Sequence, residues 1–257
     1  MEFDLNYQVQ GHGMPLFFQH GLGGNLFQSQ ELLASIPDIR LFTMDCPGHG
    51  STPLIKNQPP TFQNYANHLL ALMNHEKVEK AVVGGISMGS GIALNLALRH
   101  PERFSGLIIL RPAWLDNALP ENLQILLSVC KYANQDDGIA KFKRDPLYRK
   151  IRKQSEGAAE SILSQFINHK GAHVEIILKS MIEDRPISSL AALQTCKVPT
   201  LILANHEDPL HPYQMAATLH KRLPNAEFQT VAPRYEDHEK HQVEVRNAVS
   251  RFLEKIN

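Results

Sequence analysis

A single serine stands among glycines at the centre of the segment AVVGGISMGSG, residues 81–91. The pattern G-x-S-x-G around Ser87 is that of a nucleophile elbow, where a strand turns sharply into a helix and presents a hydroxyl group. Such a turn brings backbone segments together, so small residues such as Gly85 and Gly89 are needed beside it. The amide of Met88 would lie at the helix N-terminus, which favours developing negative charge. We therefore predict that Ser87 is a nucleophile.

A second glycine-rich loop follows an apolar run in FFQHGLGGN, residues 17–25. Acyl transfer through a serine needs two backbone amides that donate to the oxyanion of the tetrahedral intermediate. The Leu22 amide lies on this loop, so Leu22 and Met88 are the predicted oxyanion hole. We expect His20, at the start of the loop, to order it by hydrogen bonding rather than to act as a base.

The elements that must position Ser87 are an apolar strand before it and a helix after it. Further short apolar runs predict strands near residues 15–19, 39–45, 105–111, 199–205 and 226–231. Their nearly continuous hydrophobicity is typical of parallel strands covered on both faces, and helical patterns alternate with them. FDLNYQV, in contrast, alternates apolar and polar residues and predicts an antiparallel edge strand. The sequence therefore predicts a doubly wound, mostly parallel α/β sheet.

One long segment interrupts this alternation. Residues 112–196 contain no convincing strand and are rich in helix formers and charge. We predict that residues 112–196 are a helical insertion, and that residues 1–111 and 197–257 form the α/β core.

Composition excludes several classes of partner. Lys plus Arg and Asp plus Glu number 26 each, so no overall field would hold a nucleic acid or an acidic membrane surface. The longest apolar runs, such as GLIIL at 106–110, are far shorter than a membrane helix requires. The first residues lack the pattern of a secretory signal, and we expect a cytoplasmic protein that acts on a small molecule.

Clusters of histidine and carboxylate residues raise the question of a metal site. HEKH at 238–241 is one residue short of the zinc-protease pattern H-E-x-x-H. The group His206, Glu207, Asp208 and His211 is also attributed to chance, since the chain has 13 histidines. We predict no metal and no cofactor.

Four segments, in order, resemble the α/β-hydrolase fold superfamily, of the kind that carries a helical cap. They are HGLGG at 20–24, DCPGHGST at 45–52, GGISMGSG at 84–91 and NHEDPLHP at 205–212. The second departs from the usual motif, because Thr52 stands where serine is usual, and we assign that segment a structural role. The resemblance implies a catalytic triad in the chain order serine, acid, histidine.

In this family the acid follows a late strand, and here that strand is PTLILAN. Asp208 lies just beyond it and is the predicted acid. Glu207 is its neighbour, and Asp116, after an earlier strand, is the outside alternative. Asp208 before Pro209 can also be an ordinary turn residue.

The histidine departs from the family pattern, which often has a G-H pair after the last strand. The segment VAPRYEDHEKHQVEVR has no glycine there and offers both His238 and His241. Asp237 followed four residues later by His241 fits the last loop of some family members. We predict His241 as the base, with His238 as the alternative.

These residues predict a cofactor-independent serine hydrolase. It would cleave a small ester, thioester or lactone through an acyl-enzyme, and hydrolysis of a carbon–carbon bond on the same machinery is a variant. The missing G-H pair motivates an alternative, in which the chain is a ligand receptor or pseudoenzyme on the same fold. The substrate and the oligomeric state are not predicted.

Overall fold

The computed structural model describes residues 4–168 and 172–257. Seven strands form one sheet: β1 (Tyr7–Gly11), β2 (Met14–Gln19), β3 (Ile39–Met44), β4 (Ala81–Ile86), β5 (Phe104–Leu110), β6 (Thr200–Ala204) and β7 (Ala226–Thr230). Their order across the sheet is β1-β3-β2-β4-β5-β6-β7. The strands predicted from apolar runs are all present, and the strand predicted from FDLNYQV begins later, at Tyr7.

All pairings in the sheet are parallel except that of β1 with β3. The antiparallel β1 lies at the sheet edge, as its alternating pattern predicts. The predicted fold class, a doubly wound and mostly parallel sheet, is therefore confirmed. Because β4 is central, its carboxyl end lies where the chain order of the strands reverses, which is where open α/β sheets bind ligands.

Helices cover both faces of this sheet. They are α1 (Leu26–Leu33), α2 (Phe62–His75), α3 (Met88–Arg99), α4 (Ile125–Tyr132), α5 (Gly138–Phe142), α6 (Pro146–Gln154), α7 (Glu156–Leu163), α8 (Gln165–Asn168), α9 (Ala172–Glu183), α10 (Tyr213–Arg222) and α11 (His238–Ile256). None of them, within the described residues, is long and apolar enough to cross a bilayer.

Two apolar clusters fix these helices to the sheet. Successive side chains of a strand point to opposite faces, and in β2 Phe17 enters one cluster while Phe18 enters the other. The Phe17 cluster includes buried residues of α2 and α3, and the Phe18 cluster includes those of α1 and α11. Burial on both faces explains why the central strands β2 to β6 are apolar at most positions.

The segment 112–196 forms α4 to α9 and two short 3-10 helices, with no strand among its described residues. Its buried side chains, including Val129 and Phe142, join the same apolar cluster as α2 and α3. The helical content is as the sequence predicts. Treatment of this segment as a separate cap domain remains a prediction.

Candidate active site

Ser87 lies in a strained turn between β4 and α3. Its φ and ψ angles are 56° and −112°, a conformation that L-residues with side chains rarely adopt. The turn also explains its two glycines. A Cβ on Gly85 would lie 2.3 Å from the Gly89 carbonyl carbon, and one on Gly89 would lie 2.1 Å from the Gln19 carbonyl oxygen. Backbone fills both spaces, so the G-x-S-x-G pattern is a requirement of close packing.

A chain of hydrogen-bonding groups leads from Ser87 to a carboxylate. The Ser87 Oγ atom lies 2.9 Å from Nε2 of His211, and Nδ1 of the same ring lies 3.0 Å from Oδ2 of Asp208. A protonated Nδ1 donates to the carboxylate, which leaves Nε2 unprotonated to accept from the serine hydroxyl. This is the geometry of a serine, histidine and acid triad.

The loop after β6 fixes the positions of Asp208 and His211 relative to each other. Oδ1 of Asp208 accepts from the backbone amides of Leu210 at 3.1 Å and His211 at 3.2 Å. This local turn occupies one carboxylate oxygen and leaves Oδ2 for the imidazole. Pro209 and Pro212 restrict the backbone of the five-residue segment 208–212. This short segment therefore holds the side chains of both Asp208 and His211.

Arg111 gives Asp208 a second, cationic partner. It follows β5 directly, is 2% exposed, and donates from Nε to Oδ2 of Asp208 at 3.0 Å and from Nη2 at 2.5 Å. The same Nη2 lies 3.0 Å from Nδ1 of His211. In the tautomer whose Nδ1 proton is shared with Asp208, this last approach places a positive charge beside the ring rather than a hydrogen bond.

These neighbours set the charge of each group. Burial opposes ionisation of Asp208, but the charges of His211 and Arg111 outweigh it and hold the pKa of the carboxyl well below its usual range. Burial lowers the pKa of His211 and the charge of Arg111 lowers it further, while Asp208 opposes both. At neutral pH the carboxylate is therefore ionised and the imidazole is neutral, as a general base must be.

The structure does not bring His241, the predicted base, to Ser87. His241 lies in the first turn of α11, is 3% exposed, and its Nδ1 donates to the carbonyl of Ala232 at 2.7 Å. It lines a cavity of about 40 Å³ that Ser87 does not reach. His211, and not the predicted His241, therefore contacts Ser87, since the chain between β7 and α11 places Arg234 and Tyr235, not a histidine, on the Ser87 cavity.

His238, Glu207 and Asp116, the remaining candidates for base and acid, are also separate from Ser87. His238 begins α11, is exposed and contacts Gln242. Glu207 is exposed at a positive φ of 60°, and Asp116 accepts from the backbone of Leu190. Of the candidate acids only Asp208 contacts the histidine that reaches the serine.

The signal for His211 was present in the sequence. It lies three residues after Asp208 in DPLHP, within the group discounted as a chance metal cluster. A base that follows the acid within one loop does not fit the family pattern, in which the histidine follows the last strand. Among the described residues no group of three or more His, Cys, Asp and Glu side chains is arranged to hold a metal ion.

The loop that carries Leu22 is held from two sides. Gln28 accepts from the Gly21 amide at 2.8 Å, and Gln165 donates to the Leu22 carbonyl at 3.2 Å. Within the part of the chain that the structure describes, no acceptor engages the Leu22 or Met88 amide. Leu22 lines the cavity that contains Ser87, Met88 follows Ser87 at the start of α3, and their use as an oxyanion hole remains a prediction.

His20 orders the adjoining loops, as expected from the sequence. Its Nδ1 donates to the Gly21 carbonyl at 2.8 Å and its Nε2 accepts from the Cys46 amide at 3.0 Å. Asp45 accepts from the Leu26 and Ser51 amides, both at 2.8 Å. The DCPGHGST segment thus has the structural role predicted for it.

A cavity of about 70 Å³ contains the serine and the imidazole. The core contributes Ser87, His211 and Arg234 to its lining, and the 112–196 segment contributes Trp114, Leu126 and Gln165, among others. It adjoins a wider surface cavity of about 480 Å³, and the two share six lining residues: Leu22, Gln28, Ser161, Gln165, Arg234 and Tyr235.

Fold and sequence comparison together define the class. The family described as "alpha/beta hydrolase fold" matches residues 14–236, and the chain belongs to this family. An esterase from Thermogutta terrifontis, solved with malate bound, has a TM-score of 0.74 and 22% sequence identity over 98% of this chain and 93% of that one. The resemblance implied by the four motifs is therefore confirmed.

The curated relatives of this chain include an esterase and an acetyltransferase component. A pimeloyl-acyl-carrier-protein methyl ester esterase of Aromatoleum aromaticum is 30% identical over 73% of this chain and 76% of its own length. A dihydrolipoyllysine-residue acetyltransferase component of an acetoin cleaving system, from Pseudomonas putida, is 33% identical, but the match spans 48% of this chain and about a third of that protein. The esterase relative supports a hydrolase, whereas this chain spans only about a third of the acetyltransferase component that it matches.

Proposed function

We propose that this protein is a cofactor-independent serine hydrolase that cleaves a small ester, thioester or lactone. The observation that carries the proposal is the continuous chain Ser87 Oγ, His211, Asp208, with separations of 2.9 and 3.0 Å. A serine hydroxyl is a weak nucleophile until a neighbouring base accepts its proton. Here a neutral imidazole is the acceptor, and an ionised carboxylate fixes its tautomer.

In the proposed mechanism the Ser87 oxygen bonds to the substrate carbonyl carbon while its proton moves to Nε2 of His211. The tetrahedral oxyanion accepts from the Leu22 and Met88 amides. His211 then protonates the leaving group as the carbon–heteroatom bond breaks, which leaves an acyl-enzyme. Water then attacks the acyl carbon while its proton moves to the same Nε2; the bond between the acyl carbon and Ser87 Oγ breaks, and His211 returns the proton to Oγ, which releases the acid and regenerates Ser87. Cleavage of a carbon–carbon bond would use the same groups with a carbanion as the leaving group.

The receptor alternative rested on the missing G-H pair. His211 contacts both Ser87 and Asp208. The lack of a G-H pair in residues 233–241 therefore no longer argues against turnover. No other observation favours a non-catalytic role.

Reaction with a fluorophosphonate probe tests the proposal. The probe phosphonylates an activated serine, and we expect peptide mapping to find the label on Ser87. Ser87→Ala should remove labelling and lower ester turnover on the order of 10⁴-fold, as removal of a triad member does elsewhere. Its circular dichroism spectrum should be unchanged.

Ser161→Ala is the matched control, because Ser161 lines the same cavity but forms no hydrogen bond with a histidine of the described residues. This variant should still be labelled on Ser87. Label on a residue other than Ser87, or ester turnover that persists in pure Ser87→Ala protein, would refute the proposal.

A further inference from the structure

A second arginine lies beside the reactive groups and takes no part in the triad. Arg234 is in the segment between β7 and α11 and is half-buried. It lines the cavity that contains Ser87 and His211, and also the wider outer cavity. Its guanidinium carbon lies 5.9 Å from the centre of the Tyr235 ring. A ligand bound next to Ser87 would therefore lie in a cavity that this cation lines.

The two arginines of the cavity differ in their partners. Arg111 forms a short ion pair with Asp208. Arg234 forms no ion pair with any carboxylate of the described residues; Asp208 and Glu31 act on it only over a longer distance. Asp208 is thus already shared between Arg111 and His211, and within the described chain Arg234 has no ion-pair partner of its own.

The surroundings of Arg234 make its positive charge less favourable. Burial lowers its pKa, and the positive charge of Arg111 lowers it further. A guanidinium nonetheless stays protonated in proteins, and a desolvated charge without a partner is unfavourable. No Asp or Glu is among the described residues that line the inner cavity. The cavity therefore carries an excess of positive charge that an anionic ligand would neutralise.

We propose that Arg234 binds a carboxylate of the substrate, so that the preferred substrate is an ester or thioester that also bears a free carboxylate. This inference rests on the proposed function. A guanidinium binds a carboxylate through two parallel hydrogen bonds, which fixes orientation as well as charge. The inner cavity, at about 70 Å³, suits a short chain, and we expect the carboxylate to lie a few atoms from the scissile carbonyl.

Matched pairs of esters test this specificity. On the acyl side, monomethyl esters of succinic, glutaric and adipic acid are compared with the corresponding methyl ester amides, in which a neutral amide replaces the carboxylate. On the alcohol side, the acetate ester of 3-hydroxypropanoate is compared with that of 3-hydroxypropanamide. Acid release is measured in a pH-stat, and the readout is the ratio of kcat/KM for the charged ester to that for the neutral one.

We expect at least one pair to favour the charged ester by tenfold or more. Arg234→Gln should lower that ratio by about 10- to 100-fold, the range expected for a hydrogen bond to a charged group, and Arg234→Lys should restore part of it. Arg222→Gln is the matched control, because it removes an exposed arginine at the end of α10, and its ratio should equal that of the wild type. A wild-type ratio near one for every pair, or an unchanged ratio in Arg234→Gln, would overturn the inference.

A binding measurement separates this inference from the proposed function. The sole tryptophan of the chain, Trp114, lines the inner cavity, so its fluorescence reports occupancy without turnover. Monomethyl glutarate is titrated into Ser87→Ala and into Ser87→Ala with Arg234→Gln. We expect Kd to rise about 10- to 100-fold in the double variant even if no ester is cleaved by the wild type. Equal Kd values, or binding of the amide as tight as that of the acid, would contradict the role of Arg234 whatever the result of labelling at Ser87.

Discussion

His241 should be a neutral structural histidine whose burial makes the fold sensitive to acid. Burial lowers its pKa to about 4, the charges of Arg111 and Arg234 also lower it, and the hydrogen bond to the Ala232 carbonyl opposes them in part. The unfolded chain binds a proton at this position near pH 6.5. Since the unfolded state takes up the proton first, stability should be complete above pH 6.5 and fall as the pH drops toward 4.

The size of the effect follows from these two pKa values. Linkage between pH 7 and pH 5 gives a loss of about 2 kcal/mol from this one group. Other buried histidines, such as His20 and His211, also have lowered pKa values, so the total loss in the wild type should be larger. The contribution of His241 is therefore obtained as a difference between variants.

His241→Asn isolates that contribution, because the Asn side-chain nitrogen can replace Nδ1 as donor to Ala232 but cannot titrate. Unfolding in guanidinium chloride is measured at pH 7 and pH 5 for the wild type and the variant. We expect the variant to be less stable than the wild type at pH 7, because the substitution removes the packing of the imidazole ring. On acidification to pH 5, its free energy of unfolding should fall by about 2 kcal/mol less than that of the wild type. His238→Asn, an exposed neighbour, is the control and should keep the wild-type difference. If His241→Asn keeps it too, the account of a buried neutral histidine is wrong.

Two further substitutions probe the elbow and the ion pair. Gly89→Ala should destabilise the fold by about 3 kcal/mol or more, because its Cβ would meet the Gln19 carbonyl oxygen at 2.1 Å and backbone cannot move aside easily; a melting temperature within a few degrees of the wild type would contradict this. Arg111→Met removes the charge that lowers the pKa of His211, so the acid limb of the kcat/KM profile should move to higher pH, with a stability loss of about 3–5 kcal/mol for an unpaired Asp208. Activity is normalised to sites titrated with fluorophosphonate, and an unmoved or lowered midpoint would refute the coupling.

The fold was predictable because its signals are local. Each strand is short and apolar, and the period of two in FDLNYQV identified the edge strand. The elbow was equally readable, since the close approach of Gly85 and Gly89 permits few other residues. The position of Asp208 was also predictable, because it follows the end of β6, where the chain leaves the sheet near Ser87.

The histidine was not predictable from the same reasoning. Position along the chain favoured the segment after β7, but a helix begins at His238 and turns the ring of His241 toward Ala232. His211 reaches Ser87 because the turn at Asp208 returns the chain toward the elbow, which depends on contacts across 124 residues of sequence. The ion pair between Arg111 and Asp208 also depends on the tertiary fold, and no sequence pattern near Arg111 predicts it.

The most direct test of the account compares His211→Ala with His241→Asn in a stopped-flow assay with an activated p-nitrophenyl ester. The proposed chain of Ser87, His211 and Asp208 predicts that the wild type gives a burst of nitrophenolate followed by steady turnover. His211→Ala should lose the burst and lower kcat/KM on the order of 10⁴-fold, while His241→Asn, assayed at pH 7 on folded protein, should retain the burst. A burst that survives in His211→Ala and disappears in folded His241→Asn would contradict the assignment of His211 as the base.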